Sequence, residues 1–328
     1  MGQFVEPDRL AAGFSVLLAI AGGALIGSRW NRFRGTTLLA PVAWTEISLV
    51  CLAGSEALLA LFDGGSTRPW AEPLHFVASV STCCPLMAVL GAKRPQNVGW
   101  QWIVLSLWAI LAIPSIEGWL FRRGEPLYVA MAWSWLLLVL WLLGGANYLA
   151  TRYWPSCLLA FVGQGVLLAP YLPLPLGWPA SAPLSAEPAT TLALGCFVVA
   201  IGLVWAGIPR HQLDGQTFDR VWLDFRDWFG AAWALRVLLR LRESSHRYVW
   251  TLLPTWSGFQ TANANSSNIT TDASKTTEET TAALDLSLRT LLRRFVSPAW
   301  IDERLKVTAH DDVRCETGGT LPSPNHPG

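Results

Sequence analysis

Long apolar runs alternate with short polar breaks over the first 208 positions of the chain. Seven runs stand out, at 10–27, 37–62, 73–91, 97–117, 127–149, 154–172 and 188–208, close to the ~17–25 residues a membrane-spanning helix needs. A backbone in lipid must satisfy its own polar groups, so runs of this length predict helices. The strict two-residue alternation of a transmembrane barrel is missing. Pro85, Pro114 and Pro170 fall inside runs and predict kinks. Gly23 with Gly27, and Gly202 with Ala206, carry the small-residue spacing that lets helices approach closely. No internal repeat is evident, so the inverted-repeat architecture of many transporters is not expected. The expectation is an all-α polytopic bundle of about seven transmembrane helices (residues 1–208), the first of them a retained span rather than a cleaved leader.

The pattern changes after Ile208. Phe218, Val221, Trp222, Phe225, Phe229, Ala232 and Trp233 recur at steps of three and four, with Asp219, Asp224, Arg226 and Asp227 mostly off that stripe. Arg236, Arg240 and Arg242 gather at the far end, where the helix dipole favours cations. Residues 209–256 thus read as a cytoplasmic amphipathic helix lying in the membrane interface: Phe218, Trp222, Phe225, Phe229 and Trp233 dip into lipid, and Arg236 and Arg240 meet phosphates. Docking of the same stripe on a protein partner is the competing expectation. Residues 257–281 are Ser/Thr/Asn-rich and read as a flexible polar linker. The glycosylation sequons at Asn265 and Asn268 are chance matches if this linker is cytoplasmic. A short basic amphipathic helix is expected at 282–306, with Leu284, Leu288, Leu291, Leu292 and Phe295 on one side, and a disordered tail at 307–328.

Composition agrees with a membrane protein: 52% of residues are hydrophobic, only 14% are charged, and mean hydropathy is +0.35. Soluble domains carry about 25% charged residues. Many of the 19 tryptophans sit at run ends (Trp30, Trp70, Trp100, Trp119, Trp154, Trp178), as an interfacial belt would. A net charge of +1 gives no nucleic-acid signal. Six basic residues follow runs one, three and five (Arg29, Arg32, Arg34, Lys93, Arg94, Arg152). Four lie in the opposite segments (Arg9, Arg68, Arg122, Arg123), and seven arginines lie near the last run, between Arg210 and Arg247. The positive-inside rule then places the N-terminus outside and the C-terminus in the cytoplasm. The strings FDRVWLDFRDWFGAAWALRV, LLRRFVSPAWIDERL and LGAKRPQNVGWQWIVLSLW resemble segments of uncharacterised bacterial multi-pass membrane proteins. That resemblance spans most of the chain and implies a bacterial cytoplasmic membrane; it implies no activity.

Within the runs, Glu46 and Glu56 are the only deep charged side chains. A charge at mid-bilayer costs at least ~2.5–3.5 kcal/mol, so each acid needs a partner, a water path or a proton. On an ideal helix Glu46 lies ~6 Å to one side of the middle of its run and Glu56 ~9 Å to the other, ~80° apart around the axis. Glu46 is expected to bond across helices to Gln101, Asn147 or Gln164. Glu56 is expected at the outer end with His75, Glu117, Arg122 and Arg123, either as a cation or proton site or as a salt-bridge cluster. Five of the six cysteines lie in apolar runs without a metal or redox spacing, and read as buried thiols. Only one of the five histidines, His75, is near a run, so no intramembrane pair exists to ligate haem. No catalytic motif is present, and no cofactor or metal is expected. The leading expectation is a non-enzymatic scaffold, assembly or accessory protein working with the bilayer and a partner reached through the tail. A proton-coupled or small-solute transporter using Glu46 and Glu56 is the first alternative, and cofactor or metal handling at Glu56, His75 and Glu117 the second.

Overall fold

The computed structural model describes residues 7–62, 70–94, 96–122, 125–173, 186–207, 218–248, 250, 252–261 and 273–306. It divides into two compact units, Met1–Pro209 and Arg210–Gly328.

The first unit is helical: α1 (Pro7–Ser28), α2 (Leu39–Leu61), α3 (Ala71–Ser81), α4 (Cys84–Leu90), α5 (Asn97–Leu111), α6 (Ile113–Phe121), α7 (Met131–Leu149), α8 (Trp154–Leu168) and α9 (Ala186–Ala206). A 3-10 turn at Trp30–Phe33 follows α1, and another at Ala169–Tyr171 extends α8. Six segments among the described residues are long and apolar enough to cross a membrane, counting Ala71–Leu90 as one. The α5–α6 pair, bent by 43°, brings the number to seven if it is one span. The helices follow the seven sequence runs closely, except that the fourth extends to Phe121 and the fifth begins only at Met131.

Each proline that predicts a kink sits at a break. Pro85 lies in the first turn of α4 and Pro114 in the first turn of α6, and α8 turns 3-10 at Pro170. A proline has no N–H to give the carbonyl four residues back, so Pro85 orphans Ser81 and Pro114 orphans Ile110. Neighbouring helices supply the missing donors. Ser48 Oγ of α2 lies 2.8 Å from Ser81 O and 2.8 Å from its own Trp44 O. The Trp133 indole of α7 donates to Ile110 O at 3.1 Å. This is how a broken helix is tolerated where water is excluded.

The α3–α4 span is the hub of the unit. Its window is 72% buried, against 22–39% for the other single spans. Phe76, Val80, Cys83, Cys84 and Met87 pack with Val104 of α5, Leu137 of α7 and Leu168 of α8. From another side Ala78 joins Leu49 and Leu52 of α2, Leu167 of α8 and Ala193 and Leu194 of α9. Of the expected glycines only Gly23 meets a neighbour closely, the Glu46 carboxylate, and the tighter approaches come at other glycines. A Cβ on Gly27 or Gly202 would meet nothing within 4 Å, whereas one on Gly144 would lie 2.2 Å from Leu86 and one on Gly145 2.4 Å from the Phe161 ring. Phe161 in turn stacks on Trp141 at 4.1 Å. The described cysteines are free thiols, as the sequence suggests.

The second unit adds a hairpin to its helices. It holds α10 (Asp219–Arg247), strands β1 (Leu252–Thr255) and β2 (Gly258–Thr261), α11 (Ala273–Leu292) and a final helix, α12 (298–306). The strands pair antiparallel across a two-residue turn. Gly230 breaks α10 with φ 75°, a conformation that suits glycine. The aromatic stripe expected at the membrane interface is core instead: Phe218, Trp222, Phe225, Phe229 and Trp233 are all buried. Phe225, Phe229 and Trp233 surround Phe295 at 5.0–5.4 Å, and Phe218 meets Phe259 of the hairpin. Leu284, Leu288 and Leu292 of α11 are fully buried as well. A stripe with helical period needs an apolar partner, and here a complementary stripe in the same unit provides it. Side chains of α10 also hold the hairpin: Trp222 Nε1 donates to Thr255 O, Arg226 to Trp256 O, Arg242 to Pro254 O, and Asp219 accepts from the Phe259 N–H. Arg304 of α12 closes the unit on Asp224 at 2.9 Å. The expected linker at 257–281 is thus β2 at one end and the start of α11 at the other; Asn265 and Asn268 lie outside the described residues.

If the Ser48 hydroxyl satisfies a proline-orphaned carbonyl, Ser48→Ala should lower unfolding free energy by ~1–3 kcal/mol. Ser106→Ala, whose exposed hydroxyl bonds only to Trp102 O one turn back, should have little effect. Denaturant titration of both variants in detergent micelles checks this; equal stabilities would show that the Ser81 carbonyl does not depend on Ser48.

Candidate functional site

Four chain segments meet at one end of the membrane unit. Glu56 sits near the end of α2, His75 near the start of α3, Thr190 near the start of α9, and Tyr171 in the 3-10 turn after α8. Glu56 is 1% exposed, His75 4% and Thr190 0%. Glu56 hydrogen-bonds to Thr190. Thr190 Oγ1 lies 2.8 Å from His75 Nε2, and His75 Nδ1 lies 3.4 Å from the Tyr171 hydroxyl. Tyr171 packs edge-on against Phe76 at 4.7 Å and lies within electrostatic range of Glu72, an exposed residue in the first turn of α3. The Glu56 Oε1 atom is buried without a hydrogen-bond partner among the described residues.

Every member of this chain can both donate and accept once protons are placed. With Glu56 ionised, Thr190 donates to the carboxylate, His75 Nε2–H donates to Thr190, and Tyr171 donates to Nδ1. With Glu56 protonated, each of these bonds reverses, and the imidazole proton sits on Nδ1. Going from the first arrangement to the second shifts one proton along the chain to Glu56, provided that a proton from outside the chain replaces the one the Tyr171 hydroxyl gives to Nδ1, and neither end state holds a charged imidazole. Glu56, Thr190, His75 and Tyr171 thus form one line of groups that could hold a proton in either arrangement.

A polar column continues down the central span from His75. Ser79 Oγ donates to His75 O at 2.8 Å, Thr82 Oγ1 to Ser79 O at 2.6 Å, and Gln164 Nε2 of α8 reaches Thr82 Oγ1 at 3.3 Å. Thr82 is at the break between α3 and α4. A cleft of about 170 Å³ opens beside that break, lined by Ser48, Thr82, Gln164, Leu86, Phe161 and Ile201 among others, with no charged side chain in its wall.

The structure draws together two of the five residues expected at the outer end, Glu56 and His75, and pairs two others, Glu117 and Arg122. Glu56 and His75 are brought together, with Thr190 between them. Glu117 lies in α6 and pairs with Arg122 at 3.3 Å, its carboxylate 45% exposed. An exposed pair of that kind satisfies itself in solvent and needs no third member. Arg123 is outside the described residues. Glu46 is also elsewhere: its Oε2 fills the notch at Gly23 of α1, 3.0 Å from where a Cβ would stand. It makes no hydrogen bond or ion pair among the described residues. Of the partners expected for it, Gln101 accepts from the Trp44 indole and Gln164 bonds to Thr82. Phe218, Trp222, Phe225, Phe229 and Trp233 belong to the core of the second unit, and only Arg236 and Arg240 of that set are exposed. No group of three or more His, Cys, Asp or Glu is placed to hold a metal among the described residues.

Thr190, Tyr171 and Thr82 carry the site and are not singled out by the sequence pattern. The one available signal is the Thr190-Thr191 pair opening an otherwise apolar run, where two hydroxyls have no water to bond. Comparison with family models, curated proteins and solved structures finds no match to this chain.

Because Thr190 bridges two buried ionisable groups, Thr190→Val should cost ~1–3 kcal/mol by leaving both without a partner, while Thr190→Ser should stay near wild type. Thermal melts of the purified variants decide it: a valine variant as stable as the serine one would show the bridge to be absent.

Proposed function

We propose that this chain is a proton-coupled membrane transporter of a small neutral solute. The observation that carries the proposal is the Glu56–Thr190–His75 chain, anchored on a broken central span beside an uncharged cleft. Intramembrane ionisable residues are expensive and mark proton or solute paths. Discontinuous helices in a bundle interior place polar backbone and side chains where a solute is held. The cleft offers hydroxyl and amide groups on apolar walls, which suits a neutral molecule with a hydrogen-bonding end. A buried carboxyl linked to an imidazole beside a cleft favours transport over the scaffold or accessory role expected from the sequence, although the same link would also brace a bundle. The metal form of the cofactor alternative loses support because no group of three or more His, Cys, Asp or Glu is placed to hold a metal among the described residues, and Glu117 pairs with Arg122.

The membrane is proposed to be a bacterial cytoplasmic one, with the N-terminus outside and the C-terminus in the cytoplasm. If the bent α5–α6 pair crosses as one span, the crossings number seven and put the termini on opposite sides. The basic turn after α1 meets the basic turn after α4, since Arg94 donates to Gly35 O and Thr37 to Ala92 O. Arg29, Arg32, Arg34, Lys93 and Arg94 therefore share one end, which the positive-inside rule assigns to the cytoplasm.

Vesicles containing the protein, given a potassium diffusion potential with and without a mixture of small neutral metabolites, should take up protons. Glu56→Gln should reduce uptake to the protein-free background at equal, monodisperse incorporation. Equal rates for wild type and Glu56→Gln under both conditions would remove the transport proposal.

A further inference from the structure

Beyond Gly230, α10 has two distinct faces. Trp233, Ala234, Val237, Leu238, Leu241 and Ser245 point into the second unit and are buried. The opposite arc exposes Leu235 (50%) and Leu239 (65%), one turn apart. Arg242 flanks them on one side, and Arg236, Arg240 and Arg247 on the other. Glu243 and His246 complete the arc.

The geometry points to a docking surface for anionic lipid headgroups, formed by this outer face of α10 and not by the aromatic stripe of its first half. Four arginines face one carboxylate. Arg240 and Arg247 share Glu243, at 3.0 and 3.6 Å, so that acid cannot neutralise both. Arg236 lies over the Trp233 ring at 4.9 Å, which braces a guanidinium while leaving its N–H groups free for phosphate oxygens. Arg242 is steadied from behind by Pro254 O. Two exposed leucines bordered by arginines match a plane of headgroups: the leucines enter the acyl boundary and the cations meet phosphates. Supply of the partner is built into the chain, because only residues 207–218 separate the last candidate span from α10. A second copy of the same face is disfavoured as occupant, since an isologous contact would set arginine rows against each other.

The test uses the full chain, with Leu239 replaced by a solvatochromic fluorescent amino acid, in nanodiscs of phosphatidylcholine alone or mixed with phosphatidylglycerol. The expected result is a blue-shifted emission only in the anionic discs, lost in high salt and lost in the Arg236→Glu/Arg240→Glu variant. High salt applied to the labelled parent chain gives the same answer without relying on the variant's folding. Identical emission in the two lipids overturns the proposal. So does a shift that follows the number of protein copies per disc rather than lipid charge, which would mean self-association.

Discussion

A carboxyl group with almost no exposure sits inside an apolar helical bundle, and the first unit is organised around that burden. Glu56 cannot reach water, and no cation stands beside it among the described residues. A buried charge in such surroundings persists only with hydrogen-bonded partners or with a proton of its own. The chain supplies both options through one hydroxyl. Thr190 links Glu56 to His75, and the pair then carries a proton in either of two arrangements. Because these residues come from α2, α3 and α9, the link also ties together the helices that enclose the central span.

That central span is the second half of the same design. A helix interrupted by proline in lipid would expose carbonyls at a cost of several kcal/mol each. Here Ser81, Thr82, Cys83 and Cys84 at the break are buried, and the Ser48 hydroxyl lies 2.8 Å from the carbonyl that Pro85 orphans. The interruption, the hydroxyl column and the cleft therefore coincide for a shared reason: irregular backbone is stable only in the protein interior, and that is where a solute can meet oriented polar groups. The second unit solves a different problem. It buries its aromatic stripe against α11, α12 and its own hairpin, and leaves a cationic face on the far side of α10.

The spans were legible because apolar length is a strong signal, and the kinks because proline acts locally. Glu56 and His75 were legible because charge in hydrocarbon is conspicuous at any position. Thr190 was not, since it lies 115 positions from His75 and threonine is an ordinary resident of buried helices. Glu117 pairs with Arg122, one of the partners the sequence offered it, but position along a run does not tell which neighbour a carboxylate turns to. The stripe from Phe218 to Trp233 misled for another reason: lipid and a protein core demand the same periodicity. The matching stripe of Leu284, Leu288, Leu292 and Phe295 was visible, but pairing it with the first required knowing that the glycine at 230 lets α10 bend around it.

The central claim is that Glu56 and His75 act as one unit through a hydroxyl. A double-mutant cycle tests it most directly, with unfolding free energies measured for Glu56→Leu, His75→Phe and the double variant in the same lipid-like environment. The expected result is a coupling of at least ~1 kcal/mol, the double variant being less damaged than the two losses added together. Losses that add to within ~0.5 kcal/mol would contradict the account, because two side chains with no shared partner behave that way.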